Sequence, residues 1–98
     1  MNFGGIPKEF SGLNNSKIVM LPVPYDGTST WIKGADKGPE AIMEASANME
    51  LLDLETGSEP YKIGIHTAEP VMENTSPEQM TKMVKDRVSA YLEMGKFV

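Results

Sequence analysis

The sequence predicts an α/β fold with a parallel sheet, and its 98 residues supply only part of such a sheet. A short apolar run rich in β-branched residues, 17–22, indicates a buried strand. Two helical patterns follow it, and the second leads into another apolar run at 96–98. This order of strand, helices and strand is typical of parallel α/β proteins. Because a parallel sheet needs several strands and cover on both faces, we expect the N-terminal part of a larger domain.

The first half of the chain contains one strand, one long loop and one helix. Residues 1–16 form an irregular lead-in whose large apolar side chains pin it onto the core. The strand 17–22 ends where two prolines remove backbone donors, and the loop 24–38 follows. A helix over 39–49 begins with a proline, which suits the first helical position. We expect the core-facing stripe of this helix to be Ala41, Ile42, Ala45 and Met49.

The second half predicts a longer helix with a clear start signal. Residues 49–55 fit either a short strand or the frayed end of the first helix, and 61–65 alternate weakly as in a short strand. Ser76 and Gln79 form a capping box that begins a helix over 77–94. The buried face of this helix is expected to contain Met80, Met83, Val84, Val88, Tyr91 and Leu92.

Composition excludes several classes of function. The net charge is −5, from 14 acidic and 9 basic residues, and no basic patch favours a nucleic-acid partner. No apolar stretch is long enough for a transmembrane helix, and the first residues do not resemble a secretory signal. The absence of cysteine excludes disulfides, zinc–thiolate sites and thiol nucleophiles. We therefore expect a cytoplasmic protein with no membrane or nucleic-acid partner.

Familiar ligand motifs do not match the glycine-rich loop. Gly27, Gly34 and Gly38 fit neither the dinucleotide fingerprint nor the phosphate-loop spacing, and nearby carboxylates would repel an anion. The single histidine, His66, has no metal-ligand pattern around it. We expect it to be an ordinary surface or half-buried imidazole.

The loop and the start of the first helix carry a more specific likeness. Residues 23–42, VPYDGTSTWIKGADKGPEAI, resemble the N-terminal signature of the arginase/agmatinase (ureohydrolase) family. In that family a strand ending near G-x-P-x-D runs into G-T-T…G-A…G-P-x-A-I-R-x-A-S. Met43 departs from the usual arginine, and HTAEPV at 66–71 departs from the usual D-x-G-D-V. The likeness is to the agmatinase branch.

The resemblance implies a fold, a reaction and a cofactor. It implies the N-terminal part of a three-layer αβα arginase-like fold in a homo-oligomeric enzyme. Two Mn²⁺ ions would carry a bridging hydroxide that attacks the guanidinium carbon of a small cationic substrate. With agmatine the products would be putrescine and urea. The family's metal-binding motifs, G-G-D-H-S, D-A-H-x-D and S-x-D-x-D-x-x-D-P, do not occur in these residues. We therefore expect no metal ligand or catalytic residue here, and no activity from this chain alone.

The loop itself is expected to shape the rim of the substrate cleft, since ligands bind at the carboxyl ends of parallel strands. The candidate rim residues are Tyr25, Asp26, Thr28 and Trp31, with Asp26 favouring a cationic substrate. Alternatively the glycines simply make the turn, Asp26 bonds its own loop, and Trp31 anchors the loop by packing. A different class of function also stays open: a non-catalytic assembly or binding module that retains the ureohydrolase front end.

Overall fold

The sheet of this protein is parallel and has β1 at its centre. A computed structural model describes residues 1–73 and 75–98. Strand β1 (Ile18–Met20) pairs in parallel with β2 (Ile65–Thr67). On the other side of β1, Phe97 forms a parallel bridge to Ile18, within the run where the sequence predicts the next strand. The central Val19 is 1% exposed, as expected of a β-branched residue covered on both sides of a sheet.

The second strand begins later than the sequence pattern indicates. The expectation of a strand over 61–65 is wrong, because Pro60–Ile63 form a 3-10 turn and β2 starts only at Ile65. Gly64 separates the two with a φ of +90°, which favours glycine. A Cβ atom at this position would lie 2.5 Å from the Asn15 carbonyl oxygen. The close approach of two backbones therefore sets the start of β2, and residue periodicity does not reveal it.

Helix α1 (Gly38–Ser46) buries a different face from the one predicted. Met43 and Ser46 are buried, at 9% and 3% exposed. The expected core-facing stripe is wrong, because all four of its members are exposed: Ala41, Ile42, Ala45 and Met49. The buried Ser46 hydroxyl accepts a hydrogen bond from the backbone N–H of Gly4 at 2.8 Å. The N-terminal segment thus makes a polar residue part of the core face.

The predicted helix 39–49 extends too far, since α1 ends at Ser46. Residues 49–55 form turns instead of either alternative, with one isolated antiparallel bridge between Asp53 and Ser58. The Asp53 side chain accepts hydrogen bonds from Glu55 N and Thr56 Oγ1. Such local bonding of an aspartate to its own turn competes with regular structure.

Helix α2 (Pro77–Glu93) begins as its capping signal predicts. Ser76 Oγ accepts a hydrogen bond from the Gln79 backbone N–H at 3.1 Å. Met80 is buried, whereas Leu92, predicted on the buried face, is 56% exposed. Arg87 ties the helix to the segment after β2, because its guanidinium donates to the Glu69 carbonyl oxygen at 2.8 Å.

The hydrophobic core of the described residues is small and includes side chains from the N-terminal segment, β1, both helices and the segment after β2. Its buried members are Ile6, Val19, Met43, Ala68, Val71 and Met80. Within residues 1–73 and 75–98, no helix has the length and apolarity needed to cross a bilayer.

Candidate functional site

The loop after β1 is closed by the side chain of Asp26. Its Oδ2 atom accepts a hydrogen bond from the Gly34 backbone N–H at 2.6 Å. The Lys33 ammonium donates to the Asp26 carbonyl oxygen at 3.0 Å and lies 3.3 Å from Oδ1. The Ser29 backbone N–H donates to the same carbonyl oxygen at 3.1 Å. Asp26 therefore clasps residues 26–34 into one turn, as the local-bonding alternative expects.

The clasp also affects the acidity of Asp26. The hydrogen bond from the Gly34 N–H, assisted by Ser29 and Lys33, holds the pKa of the Asp26 carboxyl below its usual value. Burial acts in the opposite direction and is outweighed. The carboxylate is ionised at neutral pH. Its contacts are with groups of its own loop, the Gly34 N–H and the Lys33 ammonium.

Tyr25 and Asp26 lie together at a cavity of about 490 Å³ beside this loop. Tyr25 folds over Gly27 so closely that a Cβ atom there would lie 2.5 Å from the Tyr25 hydroxyl oxygen. A glycine is therefore required for this arrangement of the ring. Both acidic and basic side chains line the cavity, with Asp36, Lys33 and Lys37 around the two predicted residues.

The other two predicted rim residues lie elsewhere on the loop. Thr28 and Trp31 are exposed and do not line this cavity. Trp31 is 92% exposed, so the expectation that its packing anchors the loop is wrong. The Asp26 clasp holds the loop instead. The structure thus brings together two of the four predicted rim residues.

A second cavity, of about 570 Å³, opens at the carboxyl ends of both strands. It shares Pro24 and Asp36 with the first cavity, so the two form one continuous edge. Its lining includes residues from the N-terminus, the loop, α1 and the end of β2: Met1, Asn2, Pro22, Pro39, Glu40, Met43, Thr67, Ala68, Glu69 and Pro70. Sequence reasoning did not single out Asn2 or Glu69, because only the fold brings these distant positions to one edge.

The side chains of the described residues do not fit a metal ion. Within residues 1–73 and 75–98 no three His, Asp or Glu side chains come close enough to hold one. His66 is half-buried in β2, and its Nδ1 atom lies 2.9 Å from the Ser11 carbonyl oxygen. The imidazole thus has a structural partner in the N-terminal segment.

The fold of this chain is similar to part of a solved enzyme structure. The chain is similar to the agmatine ureohydrolase of Thermoplasma volcanium, with a TM-score of 0.80 and 27% sequence identity. The match covers 88% of this chain and 29% of that one. This similarity confirms the predicted fold class, the N-terminal part of an α/β arginase-like fold with a parallel sheet.

The sequence comparisons agree with the fold. Residues 16–98 match the Arginase family, and the chain belongs to that family. It is 39% identical over 84 residues to the N(1)-aminopropylagmatine ureohydrolase of Thermus thermophilus, covering 85% of this chain and 29% of the relative. It is 35% identical to the Synechocystis enzyme of the same name, covering 94% of this chain and 34% of the relative. The chain therefore spans about a third of the length of these relatives.

Proposed function

We propose that this chain is the N-terminal part of a ureohydrolase that hydrolyses agmatine to putrescine and urea. Water adds its oxygen to the guanidino carbon, the C–N bond to the alkyl chain breaks, and the amine leaves with a proton. The observation that carries this proposal is the agreement of sequence and fold. Relatives at 35–39% identity and a structure with a TM-score of 0.80 are all ureohydrolases.

The chain's part in this reaction is to supply one edge of the substrate cleft. Both strands point their carboxyl ends at the larger cavity, the position where ligands bind in open parallel sheets. Carboxylates of Asp36, Glu40 and Glu69 line it, which suits a cationic guanidino substrate. Tyr25 and Asp26 line the adjoining cavity, and with Thr28 and Trp31 they remain our candidates for the rim.

The cofactor of this enzyme would be a pair of Mn²⁺ ions held by residues outside this chain. The described residues do not fit them, since no three possible ligand side chains converge there. We therefore assign no catalytic step to these residues, and we propose that the 98-residue chain is inactive alone. The remaining two-thirds of the relatives' length leaves ample room for the ligands.

N(1)-aminopropylagmatine is a second candidate substrate. The named activity of both curated relatives favours it, whereas the name of the solved structure favours agmatine. Both molecules present the same guanidino group and differ in the amine chain attached to it. We propose further that the enzyme is a cytoplasmic homo-oligomer without nucleic-acid or membrane partners.

The test is urea release by the parent protein. This term denotes the longest protein encoded in the same reading frame that contains these 98 residues. Purified parent protein with Mn²⁺ is assayed with agmatine and with N(1)-aminopropylagmatine, and the 98-residue chain is assayed in parallel. We expect urea from the parent protein and none from the chain alone. A parent protein that releases no urea from either compound would contradict the proposal.

The DNA downstream of the Val98 codon separates this proposal from the non-catalytic alternative. In-frame codons for G-G-x-H and D-A-H-x-D support a complete enzyme. A stop codon directly after Val98 favours an assembly or binding module that retains the ureohydrolase front end.

A further inference from the structure

The segment that precedes the family match is fixed to two different elements of the fold. The family match begins at residue 16, and residues 2–11, here called the N-terminal strap, lie before it. The Gly4 backbone N–H donates to the buried Ser46 hydroxyl of α1 at 2.8 Å. The neighbouring Phe3 backbone N–H donates to Thr67 Oγ1, at the last residue of β2, at 2.9 Å. Two consecutive amides of the strap therefore join the helix to the strand.

The rest of the strap is also held in place, by a hydrogen bond, a buried side chain and a contact between two aromatic rings. Asn2 Nδ2 donates to Ser11 Oγ at 3.0 Å, which closes the strap on itself. Ile6 is 5% exposed, so the middle of the strap belongs to the core. The Phe10 ring meets the Tyr61 ring edge-on with centroids 5.4 Å apart. These contacts make the strap a built element of the fold.

The strap's first residues stand at the cavity at the carboxyl ends of the strands. Asn2 lines that cavity together with Thr67, the residue to which the strap is bonded, and Glu69 just beyond it. Ser46 does not line the cavity itself; its hydroxyl accepts from the Gly4 amide of the strap and donates to the carbonyl oxygen of Met43, which does line it. The position of Asn2 thus depends in part on the hydrogen bonds of the Phe3 and Gly4 amides, and the second of these lies away from the cavity.

We propose that the N-terminal strap is a specificity-determining wall of the substrate cleft, which limits the length of the amine chain on the guanidino substrate. This inference rests on the proposed function. Agmatine and N(1)-aminopropylagmatine share their reactive group and differ by one aminopropyl unit, so their relative affinity measures the space beside the wall. Loosening the strap widens the cavity and favours the longer compound.

Two variants of the parent protein loosen the strap. Ser46→Ala removes the acceptor for the Gly4 amide, and Thr67→Val removes the acceptor for the Phe3 amide with little change of shape. Ser89→Ala and Thr81→Val make the same chemical changes on exposed positions of α2 and serve as controls. Ser46→Ala is the decisive variant, because Ser46 does not touch the cavity.

The measurement is the dissociation constant of each compound by titration calorimetry without Mn²⁺, so that neither compound is hydrolysed, alongside urea release with Mn²⁺. We expect both strap variants to shift the affinity ratio toward N(1)-aminopropylagmatine by at least about threefold, while both controls keep the native ratio. An unchanged ratio in folded strap variants overturns the inference, as does a wild-type protein that binds neither compound. A shifted ratio in a protein that releases no urea upholds the wall and refutes the proposed function.

Discussion

The Asp26 carboxylate accepts a hydrogen bond from the backbone N–H of Gly34 at 2.6 Å, and this bond, together with the contacts of Ser29 and Lys33 to Asp26, closes the loop that follows β1. An aspartate just past a strand's carboxyl end is an obvious candidate for binding a cationic substrate. Here one of its oxygens is committed to the backbone and the other faces Lys33. Asp26 therefore holds the loop in shape, and its role at a substrate rim stays a prediction.

Removing this side chain should loosen the loop and leave the rest of the fold in place. In Asp26→Ala the Gly34 amide loses its acceptor, so hydrogen exchange across residues 27–37 of the parent protein should accelerate by about tenfold or more. Asp36→Ala removes a nearby exposed carboxylate and should leave exchange unchanged. Equal exchange in both variants would show that Asp26 does not hold the loop.

The clasp should also respond to pH in a defined direction. The pKa of Asp26 is lowered from 3.8, chiefly by the Gly34 N–H, so the carboxylate form stabilises the folded loop. That stabilisation is complete above pH 3.8 and is lost as the pH falls through the lowered pKa. In a parent protein whose other tryptophans have been replaced, the fluorescence of Trp31 should report a transition below pH 3.8. The Asp26→Ala variant should lack this transition. A midpoint above that value would contradict the assignment.

Two methionines of the α1 region should differ sharply in their contribution to stability. Met43 is 9% exposed and Met49 is 49% exposed. Met43→Ala should lower the free energy of unfolding by about 2–5 kcal/mol, because it leaves a cavity in the core. Met49→Ala is the matched control and should cost well under half as much. Chemical denaturation of the parent protein measures both, and the reverse order would mean that α1 buries the face predicted from sequence.

The isolated 98-residue chain should associate or unfold partly. Large apolar side chains are left open to solvent, among them Leu54 at 87%, Met72 at 68% and Phe97 at 74% exposed. Exposure of many large apolar side chains favours association. Light scattering coupled to gel filtration should show species larger than a monomer or a broad distribution. A monomer with one sharp calorimetric unfolding transition would refute this expectation.

The start of α2 could be predicted from a local signal in the sequence. The capping serine of α2 works as its sequence indicates, because Ser76 and Gln79 are three residues apart and need no distant partner. The fold class followed from the order of elements and from the loop motif, and the structural similarity confirms it.

Features that depend on contacts between distant residues could not be predicted from the sequence. The buried face of α1 includes Ser46, whose hydroxyl accepts a hydrogen bond from Gly4, forty-two residues away. The start of β2 is set by the backbone of Asn15 against Gly64. Likewise the larger cavity joins Asn2 to Glu69, a juxtaposition that no spacing in the sequence reveals. The roles of Tyr25, Asp26, Thr28 and Trp31 at a substrate rim stay predictions.

The most direct test of the account is a calorimetric titration of the 98-residue chain with Mn²⁺. The parent protein is the positive control. If this chain provides a cleft edge while other residues hold the metal, the parent protein binds Mn²⁺ saturably and the chain alone gives no saturable signal at micromolar concentrations. Micromolar binding by the chain itself would mean that its own side chains form a metal site, and the account would be wrong.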